Sequence, residues 1–159
     1  MVVDTPVLID TNIWIDVLGG VPDAKLVLDN HIDIAMSAIS FAEVASGCEP
    51  DELAMFEAFV EAGRWAQTLQ VIHTNDQIIK LAAAFNKNPA TGRGHGKKRL
   101  PDSIIAATAF VTGRVLLTRN AADFKMVAHC TPYQGQWLKK DASGGQTVKH
   151  WVATPVVVR

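Results

Sequence analysis

Residues 101–124 read PDSIIAATAFVTGRVLLTRNAADF, and the fold turns on this stretch. Pro101 suits the first turn of a helix, where its missing N–H has no partner to lose. From Ile104 to Val111 the segment is apolar nearly all round, so this helix is expected to be buried. Gly113 supplies the glycine that commonly ends a helix, and residues 115–117 follow at once as a short apolar strand. A helix feeding straight into a strand is the return half of a crossover between parallel strands. In a right-handed crossover the helix runs antiparallel to the sheet, so helix N-termini and strand C-termini share one edge. Asp102 opens the helix and Asp123 follows the strand, which puts both carboxylates on that edge.

The rest of the chain repeats the alternation. Residues 7–9, VLI, read as a buried strand ending at Asp10, with Thr11 and Asn12 placed to cap a helix. Helices are expected over 23–30, from Ser40 to about Gly47, over 51–66, and from Thr74 or Asn75 to about Asn86. Strands are expected over 32–38, 69–72 and 127–130. Ser40-Phe41-Ala42-Glu43 has the S-x-x-E spacing of a capping box, which places Glu43 in the first turn of its helix. Strands alternating with helices predict an α/β fold: three layers, with a central, mostly parallel sheet of four to five strands. The acids Asp10, Glu43, Asp102 and Asp123 are then expected to converge where open α/β sheets bind ligands. Beyond about residue 134 the pattern fades. That tail holds Trp137, Trp151 and a strand-like Val156-Val157-Val158, with the tryptophans expected to pack.

Composition narrows the chemistry. The 159 residues fit one domain with a sizeable core. No apolar run approaches the length of a membrane helix, and the N-terminus lacks the pattern of a signal peptide, so a cytoplasmic protein is expected. Cys48 and Cys130 are too few for a disulfide framework and lack metal-binding spacing. The net charge of −1 conceals a split: residues 1–76 carry −11 and residues 77–159 carry +10. Asp102 and Asp123 are two of only three acids in the basic half.

Four carboxylates in one pocket repel one another, and some would be protonated unless a cation intervened. An all-oxygen, hard-ligand set suits Mg²⁺ or Mn²⁺. Asn12, Thr118 and Asn120 could orient the acids or a water. Taken singly, each acid also has a plain explanation as a cap, a helix-dipole partner or a strand-end residue. The Gly-rich stretch 88–100 carries Arg93, Lys97, Lys98 and Arg99, which could touch an anionic partner.

LIDTN at 8–12, SxxE at 40–43, PDxxIAAxA at 101–109 and LLTRNxxDF at 116–124 resemble the PIN domain, in particular the VapC-type toxins of bacterial toxin–antitoxin pairs. The resemblance covers roughly residues 7–130. It implies a Mg²⁺- or Mn²⁺-dependent endoribonuclease, inhibited by a cognate antitoxin and commonly a homodimer, with Asp10, Glu43, Asp102 and Asp123 as the acidic metal site. On this reading residues 1–134 form the nuclease domain and 135–159 an extension. Two other readings compete. A non-catalytic module would bind RNA or protein without turnover. A Mg²⁺-dependent phosphatase of the haloacid-dehalogenase type would need a second Asp where this chain has Asn12.

Overall fold

The computed structural model describes residues 2–141, 145 and 147–156, and the side chain of Lys97 lies outside the description. Five parallel strands form the central sheet: β1 (Val7–Ile9), β2 (Ile34–Ser37), β3 (Leu69–Ile72), β4 (Val115–Leu117) and β5 (His129–Cys130). Their order is β3-β2-β1-β4-β5. Among the described residues the α-helices are α1 (Thr11–Leu18), α2 (Pro22–Asp29), α3 (Ala38–Gly47), α4 (Pro50–Trp65), α5 (Asp76–Phe85) and α6 (Leu100–Val111).

Strand pleating divides the core in two, because successive side chains point to opposite faces. Val7, Ile9, Ile34 and Met36 join Ile13, Trp14, Val27, Phe56 and Val60 from α1, α2 and α4 on one face. Leu8, Ala35 and Leu116 join Ile105, Ala106 and Ala109 of α6 on the other. Helix α5 packs outside α6 through Ile78 and Ala82. The inner strands are covered on both faces, which is why they read as unbroken apolar runs. Helix α6 is buried over residues 103–109.

The strand order contains one reversal. The chain moves from β1 to β2 to β3, then returns to place β4 against the free side of β1. Leu8 pairs with both Ala35 and Leu116. The crevice at the C-terminal ends of β1 and β4 is therefore the topological switch point, where open α/β sheets take ligands. Asp10 and Thr118 are the residues immediately after those two strands.

Three expectations need correction. Helix α3 begins at Ala38, ahead of its expected start. Ser37, not Ser40, is its cap, accepting from the Ile39 N–H at 3.2 Å. Strand β2 runs straight into α3 without a linker, so the first serine of the pair wins. The S-x-x-E capping box does not form, and Glu43 sits in the second turn. The last sheet strand is only His129–Cys130. Val156 lies outside any strand, and Val157 and Val158 fall outside the described residues.

The tail folds as an antiparallel hairpin of β6 (Gln134–Asp141) and β7 (Thr147–Thr154). Trp137 and Trp151 face each other across it and pack against the α1 side of the core. Gly19, just past α1, leaves room for this: a Cβ there would stand 2.6 Å from the Trp137 ring.

Candidate metal centre

Asp10 anchors the site. Its backbone N–H donates to the Leu117 carbonyl at 2.9 Å, which ties the end of β1 to β4. Its side chain caps α1: Oδ1 accepts from the Thr11 N–H at 2.7 Å. Oδ2 accepts from the Thr118 hydroxyl at 2.7 Å and from Asn12 Nδ2 at 2.9 Å. The residue is 4 % exposed. Burial raises its pKa to about 6 against these hydrogen bonds, with further repulsion from Asp102 and Glu43.

Glu43 reaches the site from α3, where Oε2 accepts from the Thr11 hydroxyl at 2.5 Å. Asp102 lies in the first turn of α6 and is half-buried. Its pKa is also raised, first by burial and then by Asp123 and Glu43, while Arg99 lowers it. Asp123 ends a short 3-10 helix (Ala121–Asp123) and accepts from Asn120 Nδ2. Each of the four acids thus lies within electrostatic reach of at least one other, and all stand at the C-terminal edge of the sheet. Asn12 and Thr118 both bond to Asp10. Asn12 Oδ1 also accepts from the Arg119 N–H at 3.3 Å, and Thr118 Oγ from the Asn120 N–H at 3.0 Å.

The basic loop is brought in only through its end. Arg99 stands 3.9 Å from Asp123, an exposed pair worth little in itself. Arg93 and Lys98 are exposed, and neither pairs with the acids. Lys87 and His95, which composition and spacing do not single out, line a small cavity (≈ 170 Å³) with Arg99, Asp102 and Asp123.

Does this donor set fit a divalent cation? The charge balance does: Arg99 bears on Asp102 and Asp123, while burial and repulsion from Asp102 and Glu43 leave Asp10 holding its proton into the mildly acidic range. Among the described residues, no three acidic, histidine or cysteine side chains stand within ligating reach of one point. Mg²⁺ does not require an all-protein cage, because it keeps several waters and takes one or two carboxylates directly. The oxygen-only chemistry and the uncompensated charge fit such an ion.

Asp10 sets a pH signature in metal-free protein. Its folded pKa lies above its ordinary value, so folding takes up a proton between about pH 4 and 6. The stabilising protonated state is complete below pH 4 and is lost as pH rises through 6. The full difference is about 3 kcal/mol. Chelated wild-type protein should therefore lose stability relative to Asp10→Asn as pH rises from 4 to 7, as read by denaturant melts of both proteins. A pH-independent gap between the two would contradict it.

One buried acid escapes a reading of the sequence altogether. Asp16, on α1, is 0 % exposed. It accepts from Arg119 Nε at 2.6 Å, Arg119 Nη2 at 3.2 Å, the Tyr133 hydroxyl at 2.7 Å and Trp137 Nε1 at 3.0 Å. The Arg119 guanidinium lies over the Trp151 ring, 5.0 Å from its centre. Burial and the Asp16 charge push the Tyr133 phenol far up, so it stays a donor. Arg119 sits between Thr118 and Asn120, so one carboxylate ties the hairpin to the loop beside the four acids.

The PIN domain family model matches residues 7–129. The chain belongs to the PIN domain family. Ribonuclease VapC19 of Mycobacterium tuberculosis (strain H37Rv) is 32 % identical over 129 residues, spanning 79 % of this chain and 97 % of that protein. A toxin–antitoxin complex from Klebsiella pneumoniae contains a chain 31 % identical, with a TM-score of 0.59, covering 80 % of this chain and 98 % of its own. VapBC-1 from nontypeable Haemophilus influenzae aligns at 25 % identity and a TM-score of 0.60, over 80 % of this PIN domain protein and 98 % of that chain. The family match stops at residue 129, before the hairpin begins at Gln134.

Proposed function

We propose that this PIN domain protein is a Mg²⁺- or Mn²⁺-dependent endoribonuclease and the toxin of a toxin–antitoxin pair. What supports the reading is the mutual repulsion of Asp10, Glu43, Asp102 and Asp123 along the C-terminal edge of the sheet, with Arg99 as the cation beside Asp102 and Asp123. The likeness to a VapC ribonuclease supplies the substrate class, and the toxin–antitoxin relatives supply the partner.

Asp10, Glu43, Asp102 and Asp123 would hold the cation. When bound, it lowers the pKa of a water and neutralises charge on the phosphoryl oxygens. The chain's own groups do the positioning. Thr118, Asn12 and the Thr11 N–H fix the Asp10 carboxylate, the Thr11 hydroxyl fixes Glu43, and Asn120 fixes Asp123. Arg99, with Arg93, Lys97 and Lys98 along the loop, meets the phosphates flanking the scissile bond. In-line attack by water needs no 2′-hydroxyl nucleophile, so products carry 5′-phosphate and 3′-hydroxyl ends. On this reading residues 1–134 are the nuclease domain and 135–159 an extension. The protein works in the cytoplasm as a homodimer until an antitoxin binds. Among the described residues no helix is long and apolar enough to cross a membrane.

A second reading, an RNA-binding module without turnover, draws on the spacing that keeps any three carboxylates from sharing one point. One experiment separates them: purified protein with mixed RNA in Mg²⁺, Mn²⁺ or EDTA. Cleavage in a metal buffer, abolished by EDTA and leaving 5′-phosphate ends, is expected. Binding without turnover would favour the module. Cyclic-phosphate ends or cleavage in EDTA would overturn the metal mechanism.

A further inference from the structure

The hairpin does more than cover the core. It forms one wall of a cleft of ≈ 460 Å³ whose lining includes Glu43, Glu52, Trp137 and Lys149, over a floor of Ile15, Leu18 and Val44. The cleft therefore reaches Glu43, one of the four acids, from the hairpin side. Lys149 pairs with Lys139 across the hairpin, in the register that pairs Trp137 with Trp151. Alternation puts both lysines on the face that carries the tryptophans. Among the described residues neither has a carboxylate within 4 Å. Like charges directly opposite in an antiparallel pair are destabilising. Lys149 lines the cleft and Lys139 stands directly opposite it on the same hairpin face, so an anion at the cleft's rim would relieve a pairing that otherwise weakens the hairpin.

We propose that Lys139 and Lys149 are a phosphate-binding wall for the RNA strand running through this cleft past Glu43, with the exposed Ile15 and Leu18 side chains as an apolar floor for a base. The proposal rests on the ribonuclease reading for its choice of anion. RNA is favoured over an acidic protein segment because the opposite wall carries Glu43 and Glu52. A single-stranded RNA can turn its phosphates to the lysines and its neutral bases to the floor and the acids. A run of carboxylates has no neutral face to present. The basic loop and the hairpin would then grip the strand on either side of the scissile bond.

The test compares wild type with the Lys139→Gln/Lys149→Gln double variant. Both positions are exposed, so the fold should be kept. Affinity for a labelled mixed-sequence single-stranded RNA is measured in EDTA across a salt series. The log–log salt slope is expected to fall in magnitude by about 1.4, from about 0.7 for each lost phosphate contact. In Mn²⁺ buffer the variant should show a raised KM with kcat kept. An unchanged slope overturns the wall. So does an unchanged slope with lost binding of a poly-glutamate peptide, which would assign the surface to an acidic protein. Wild-type cleavage in Mn²⁺ is scored separately. Its absence beside a changed slope rejects the nuclease and keeps the wall. Its presence beside an unchanged slope does the reverse.

Discussion

Asp10→Asn should abolish metal-dependent RNA cleavage while leaving a folded protein. Asn is as good a helix cap as Asp, so the bond from the Thr11 N–H can be kept. What disappears is the negative charge that three donors hold at the switch point. Lewis-acid stabilisation of a phosphoryl transition state is worth several kcal/mol, so the loss should be roughly 10³-fold or more in rate. Asp102→Asn, at the start of the buried helix, should behave alike. The decisive measurement is single-turnover cleavage of a defined RNA in Mn²⁺, paired with a thermal melt. Near-wild-type cleavage by the Asp10→Asn variant would remove Asp10 from the chemistry. A collapsed melting temperature would make its role structural.

The largest stability effect is expected away from the acids, at Asp16. Alanine there leaves the Arg119 guanidinium without its partner and strips acceptors from Tyr133 and Trp137. Removing one member of a buried ion pair costs roughly 3–5 kcal/mol. For a chain of this size that is about 10 °C in melting temperature. The hairpin should loosen at the same time, because its two tryptophans pack around this carboxylate and its arginine. A red shift in tryptophan emission would report that. Asp16→Asn, which keeps one acceptor, should lose less. A drop of under about 2 °C for the alanine variant would show that the clamp contributes little.

Much of the architecture was legible because its signals are redundant. Residues 101–117 announce a buried helix, a glycine stop and a strand, and the structure holds all three in place. Asn75 and Gly113 did what their residue types favour. Asn75 caps α5 by accepting from the Ile78 N–H, and Gly113 sits at φ 66°. The four acids were placed on one edge by topology alone, since strand ends and helix starts share it. Glu43 arrived there by a different route from the one expected. Both Ser37 and Ser40 could cap a helix, and nothing in the local sequence says that β2 continues to Ser37. The hairpin escaped because its strands mix glutamine, lysine and glycine with two tryptophans, which gives no clear alternation. Asp16 escaped because its partners lie far along the chain, at Arg119, Tyr133 and Trp137. A lone acid among Ile13, Trp14 and Val17 on an apolar helix was the one available hint.

The pairing of β1 with β4 joins the first tenth of the chain to its last third. Asp10 waits on the hydroxyl of Thr118, and the set of four acids on Asp102 and Asp123, all made late. During synthesis the N-terminal portion can fold β1 against β2, but it carries none of those groups. On the proposed reading, hydrolytic capacity is withheld until the segment through Asp123 has been made, because only then are all four carboxylates present.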